Sequence, residues 1–146
     1  MTQRYDAPGW GARVFNAAIR RLAEAGVSIQ GSTVLRVRGR VSGRSQAVVV
    51  NLLTADGRAY LVSPRGNTQW ARNVRAAGEV ELGPPRRPIS HTVVEVEDKA
   101  KPDLLRRYLR RWYWQVKTHV GGLTPASGPA ELERVAPSIP VFELLN

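Results

Sequence analysis

The chain has no cysteine, a single methionine, two histidines and three lysines in 146 residues. Without thiols there is no disulfide framework, thiolate zinc centre, iron–sulfur cluster or cysteine nucleophile. His91 and His119 stand 28 positions apart and form no ligand spacing, so no metal is expected. No stretch approaches the ~18 uninterrupted apolar residues of a membrane-spanning helix. The opening MTQRYDAPGW is not the basic-then-apolar leader of a secreted protein, and the expected address is the cytoplasm. The P-loop and GxGxxG signatures are missing as well. No serine has a histidine at a recognisable spacing. The acids Glu79/Glu81 and Glu95/Glu97 have the i, i+2 spacing of a strand's solvent face. No catalytic side chains are expected, so any reaction would be carried by an organic cofactor.

Positive charge, by contrast, is abundant. Twenty-two Lys+Arg face twelve Asp+Glu, giving a net charge of +10, and the first 46 residues hold eight arginines against two acids. Such a balance attracts polyanions: nucleic acid, an acidic membrane surface, or a small molecule rich in phosphate and carboxylate. Nineteen of the cations are arginine. That suits bidentate phosphate recognition, and it equally suits a genome that encodes arginine in preference to lysine. With 42% apolar residues, one domain spanning 1–146 is expected.

Periodicity outlines the elements. Residues 12–25 place Val14, Phe15, Ala18, Ile19 and Leu22 on one face of an amphipathic helix closed by Gly26. Segment 33–40 alternates valine and arginine, while 46–54 (QAVVVNLLT) reads as a strand buried on both faces. Asp56-Gly57 predicts a tight hairpin into 58–63. Asn67 or Thr68 is placed to cap a helix over 69–77 that Gly78 ends, followed by strand 79–82, a Pro-rich turn over 83–88 and strand 89–97. Pro102 opens a helix running to about His119, with Leu105, Tyr108, Leu109, Trp112 and Val116 as its apolar stripe. A loop over 121–128 precedes a last strand over 138–145, where Pro140 implies an edge or a strand start. Strands in hairpin order with short helices between them indicate an α+β fold or a small barrel.

Three clusters are candidate sites. Arg36, Arg38 and Arg40 feed a turn with Ser42, Gly43, Arg44 and Ser45, where backbone N–H groups can form an anion nest; the alternative is a hairpin with solvated arginines. Ser63-Pro64-Arg65-Gly66 enters the helix carrying Trp70, Arg72, Asn73 and Arg75, whose N-terminus can face an anion, with Trp70 as either a ring cover or a core anchor. Arg106, Arg107, Arg110 and Arg111 flank the apolar stripe and read as a solvated face more readily than as a nucleic-acid ridge. Tyr113 and Trp114 lie off the stripe and are candidates for a pocket wall.

These motifs together resemble the deazaflavin-dependent nitroreductase family of actinobacteria. The matching parts are Gly39-Arg40-x-Ser42-Gly43 before a hydrophobic strand, the Asp56-Gly57 hairpin, Ser63-x-x-Gly66, and Trp70-x-x-Asn73-x-x-Ala76-x-Gly78 leading into 79–82. The resemblance implies a split β-barrel, related to flavin-binding pyridoxamine-phosphate-oxidase-like proteins, with an N-terminal helix and short helices packed on the barrel. It also implies coenzyme F420, a deazaflavin with a phosphate and an oligoglutamate tail. Arg40, Ser42, Gly43 and Arg44 would hold the phosphate, Ser63, Pro64, Arg65 and Gly66 would run along the deazaflavin and tail, and Trp70 and Asn73 would lie beside them. Tyr108, Trp112, Tyr113 and Trp114 would shape the pocket of a small-molecule acceptor.

The implied activity is hydride transfer from the reduced cofactor to a quinone-like or nitro acceptor. The alternatives are a non-catalytic split barrel binding F420, a flavin or a fatty acid, and, last, a basic nucleic-acid-binding module. Nucleic acid is not expected as a partner, peripheral contact with a membrane stays open, and so do monomer and homodimer.

Overall fold

The computed structural model describes residues 32–84 and 86–145, so the expected helix over 12–25 lies outside the described residues. The described chain forms six strands: β1 (Ser32–Arg38), β2 (Ser45–Ala55), β3 (Arg58–Val62), β4 (Glu79–Leu82), β5 (Ile89–Glu95) and β6 (Val141–Leu145). Three helices accompany them: α1 (Gln69–Ala77), α2 (Lys101–Val116) and α3 (Pro129–Val135). All pairs are antiparallel, and the order β1-β2-β3-β6-β5-β4 closes into a barrel. Closure removes the free edges that an open sheet would present.

Local chemistry explains most element ends. Asp56 and Gly57 have φ of 53° and 76°, the two left-handed residues of a type I′ turn, which matches the twist of β2 and β3. Thr68, not Asn67, caps α1 by accepting from the Ala71 N–H, and Gly78 ends it at φ 73° with its N–H on the Val74 carbonyl. The stripe of α2 is wholly buried, and the Trp112 indole donates to the Leu52 carbonyl at 3.0 Å, tying the helix to β2.

Several expectations are corrected. β2 is not buried on both faces: Ala47, Val48 and Val49 are only half-buried, because this part of the strand borders a cavity. The last strand begins at Val141 and not at 138, and of the two places offered for Pro140 the strand start is the one found: β6 pairs with both β3 and β5, and the Pro140 carbonyl just before it accepts from the Ser63 N–H. Strand 33–40 stops at Arg38, strand 89–97 at Glu95, and the long helix at Val116. Helix α3 has no counterpart in the sequence reading. It is seven residues long and buries only Leu132 and Val135, too few positions for a periodic signal.

Two apolar clusters result. One fills the barrel, with Leu35, Leu61 and Phe142 against Ala71 and Val74 of α1. The other seats α2 and α3 on the outer faces of β2, β3 and β6, through Leu53, Tyr60 and Val141. Helices therefore cover the barrel on two sides, and the cavity lies where the end of α2, the start of α1 and β2 converge. No helix among the described residues is long and apolar enough to cross a membrane.

Candidate functional site

The loop between β3 and α1 is held by a relay of hydrogen bonds. The Ser63 hydroxyl is fully buried and donates to the Gly66 carbonyl at 2.6 Å. Its oxygen lies 3.0 Å from the Thr68 hydroxyl, which in turn accepts from the Ala71 N–H. With the Ser63 proton committed to Gly66, the Thr68 proton must point to Ser63, so every member of the relay has a fixed direction. Gly66 takes φ 103°, a left-handed conformation that a side chain would strain. The loop thus offers shape, with Pro64 and Arg65 on the cavity side, while its serine hydroxyl works inward.

The turn after β1 is similarly self-contained. The Gly39 N–H reaches the Arg44 carbonyl, the Gly43 N–H reaches the Gly39 carbonyl, and the Arg44 N–H reaches the Ser42 hydroxyl. These three N–H groups are engaged within the turn and are not outward donors of an anion nest. Arg40 is bound to α1 instead. Its N–H and its Nη1 both donate to Asn73 Oδ1, at 3.0 and 2.8 Å, and its Nη2 donates to Gln69 Oε1 at 2.9 Å.

Between these parts lies a cavity of about 540 Å³, within the ~300–1,000 Å³ range of small-molecule and cofactor sites. One wall is the β2 run from Gln46 to Asn51. The near end holds Pro64, Arg65, Gln69, Trp70 and Asn73, and the far end holds Ser32, Asn51, Tyr108, Gln115 and His119. No described lining residue is a carboxylate, whereas Arg65 brings positive charge, so the lining favours an anionic ligand.

The far end is a polar cluster. Asn51 accepts from the Ser32 hydroxyl at 2.9 Å and donates to Gln115 Oε1. The Tyr108 phenol, 2% exposed, is hydrogen-bonded to Asn51. Burial raises its pKa well above the ordinary phenol range, and the Asn51 bond offsets only part of that. The phenol therefore keeps its proton at every physiological pH and can present it to an acceptor oxygen.

The profile of the F420H2-dependent quinone reductase family matches residues 11–120. The chain belongs to that family. It is therefore an oxidoreductase, and its cofactor is coenzyme F420. No curated protein matches the chain. Among solved structures, an F420H2-dependent reductase is similar at 19% identity and a TM-score of 0.52, over 82% of this chain and 99% of the other. A structure described as a domain-swapped dimer is similar at 17% identity and a TM-score of 0.54, over 92% and 96%. A conserved hypothetical protein from Mycobacterium tuberculosis is similar at 16% identity and a TM-score of 0.51, over 99% and 85%. These likenesses are of fold.

The residues present suit such a cofactor. An apolar slot walled by β2 and by the half-buried Trp70 can take a flat ring system, and arginines at the near end can meet an anionic tail. Of the residues expected to hold it, Ser63, Pro64, Arg65, Trp70 and Asn73 line the cavity; Gly66 is buried just behind it. Arg40, Ser42, Gly43 and Arg44 lie outside the lining, with Arg40 held beside it through Gln69 and Asn73.

Of the residues expected at the acceptor, only Tyr108 lines the cavity. Trp112 is 1% exposed in the core, Tyr113 packs against the same cluster, and Trp114 is 56% exposed on the outer face of α2. Gln46, Asn51, Gln69, Gln115 and His119 were not singled out from the sequence. Asn51 had one usable signal, a lone amide inside an apolar strand; Gln115 had none, because nothing local relates it to a residue 64 positions away.

Proposed function

We propose that the chain reduces a quinone-like or nitro acceptor with F420H2, binding the cofactor at the near end of the cavity and the acceptor at the far end. The observation that carries this reading is the division of one cavity into two chemically different ends, an arginine-bearing slot beside Trp70 and an amide–phenol cluster around Asn51 and Tyr108. When bound, the reduced deazaflavin supplies hydride to the acceptor. The chain's own residues bind, orient and exclude water. Trp70 and the β2 wall sandwich a flat ring, while Arg40 and Arg65 meet phosphate and carboxylates. Tyr108 and Gln115 hold an acceptor oxygen, and the phenolic proton stabilises the negative charge that grows there as hydride arrives. No nucleophile is required, and the Ser32, Ser63 and Thr68 hydroxyls of the lining are held in hydrogen bonds to other groups of the chain.

The test is a titration of the purified protein with oxidised F420, FMN and FAD, followed by turnover of reduced F420 with menadione and with a nitroimidazole. F420 is expected to bind more tightly than FMN and menadione to be reduced. A charge-assisted bond to phosphate contributes about 1.5–3 kcal/mol, so Arg40→Ala should weaken F420 binding roughly 10- to 150-fold. Arg86→Ala, in the exposed Pro-rich turn, should leave affinity unchanged. Equal affinity for FMN would overturn the cofactor-site reading. Tight F420 binding without turnover of either acceptor would make the chain a carrier.

A further inference from the structure

Asn73 faces two ways: it lines the cavity, yet its side-chain oxygen is turned to Arg40. An asparagine inside a helix is intrinsically unfavourable. This one is 6% exposed, and its Oδ1 accepts twice, from the Arg40 backbone N–H and from the Arg40 guanidinium. Gln69, one turn earlier on α1, takes the other terminal nitrogen. Together they fix both the peptide and the side chain of a residue 33 positions away, at the tip of an exposed turn. Each terminal nitrogen of a guanidinium carries two protons and Nε carries one, so donors remain for an anion after these two bonds. The carbonyls of Asn73 and Gln69 are neutral acceptors, and the full positive charge of Arg40 is kept.

We propose that Asn73 is a positioning residue for F420, acting through Arg40 by holding its guanidinium as a pre-oriented fork for the anionic part of the cofactor. The inference rests on the cofactor reading above and adds to it which residue sets the geometry, and why that residue is an uncharged amide. A carboxylate at 73 would make the same hydrogen bonds but cancel the charge that the fork delivers.

Three measurements test it. In the cofactor-free protein, hydrogen exchange at the Arg40 amide should accelerate in Asn73→Ala, with the rest of the barrel unchanged. Asn73→Ala should weaken F420 binding about 3- to 10-fold, the scale of one or two net hydrogen bonds. In an Arg40→Ala background the same change should cost less than about twofold, because the partner it acts through is gone. Asn73→Asp should melt no lower than wild type, yet bind F420 about as weakly as Arg40→Ala and with a flatter salt dependence.

Additive losses in the double variant would show direct contact between Asn73 and the cofactor and overturn the inference. An Asn73→Asp variant that binds as wild type would do the same. Wild-type protein without saturable F420 binding would instead overturn the cofactor reading itself. An intact reading with a failed inference looks different: wild type binds, Arg40→Ala is impaired, and the Asn73 variants behave as separate contacts.

Discussion

Ser63 and Tyr108 illustrate how a single polar group is made predictable by what surrounds it. Ser63 has no exposed surface, and its hydroxyl both donates to Gly66 and receives from Thr68. Ser63→Ala would leave the buried Thr68 hydroxyl proton without its acceptor and the Gly66 carbonyl with the Thr68 N–H alone, and denaturant unfolding should show a loss of about 1–3 kcal/mol. Tyr108 tests burial in the other direction. Its pKa is raised in the folded state, so its contribution to stability is complete below the unfolded value of about 10 and is lost as pH rises further. A 295 nm titration should find Tyr108 ionising only with alkaline unfolding. Tyr108→Phe should remove that step and flatten the fall of stability above about pH 10.

Among the elements, α2 carries two kinds of tryptophan, one on its apolar stripe and one off it. Trp112 lies on the stripe, is 1% exposed, and has the Arg111 guanidinium 4.1 Å over its ring. Trp114 sits two residues on and is 56% exposed, with its indole N–H on the Arg111 carbonyl of its own helix. Chemical denaturation should therefore give a loss of about 3–5 kcal/mol for Trp112→Ala, and a change within about 0.5 kcal/mol for Trp114→Ala. Equal losses would place Trp114 in a contact that its exposure does not suggest. The arginines of this helix divide in the same way. Arg106 and Arg107 pair with Asp103, and Arg107 also reaches Asp56 in the β2–β3 turn. The stripe of cations is thus partly neutralised by its own helix, which weakens a nucleic-acid reading.

For the whole molecule, the net charge of +10 becomes meaningful only against a lining without described carboxylates. F420 affinity should fall as salt rises from 0.05 to 0.5 M, since the Debye length contracts from roughly 14 to 4 Å. Affinity for uncharged menadione should stay nearly flat, because the acceptor end uses amides and a neutral phenol. A salt effect of equal size on both would mean that the two ends are not distinct. Duplex DNA serves as the control for unspecific charge: micromolar, sequence-independent binding with a steep salt slope would assign the excess arginines a different partner.

How much of this was legible in the chain depends on distance along it. The Asp56-Gly57 turn, a helix start capped at Asn67 or Thr68, the stop at Gly78 and the buried stripe of α2 each depend on a few neighbouring residues. Their backbone preferences and periodicity act within a turn or two, so the sequence by itself determined them. The candidate loops at 39–44 and 63–66 were legible for the same reason, as Gly, Ser and Arg in turn-forming order. The barrel itself was expected, from the hairpin order and from the resemblance, but the place of β6 between β3 and β5 was not, because strand order is chosen by pairing over long loops and leaves no local trace. Nor was the far end of the cavity, where Asn51 meets Ser32, Tyr108 and Gln115. The role of Asn73 belongs to the same class: its neighbours in the sequence make it a helix residue, and only the packing of α1 against the turn after β1 makes it the partner of Arg40. Tertiary structure decided these contacts because burial leaves each polar group to find a partner wherever the fold places one.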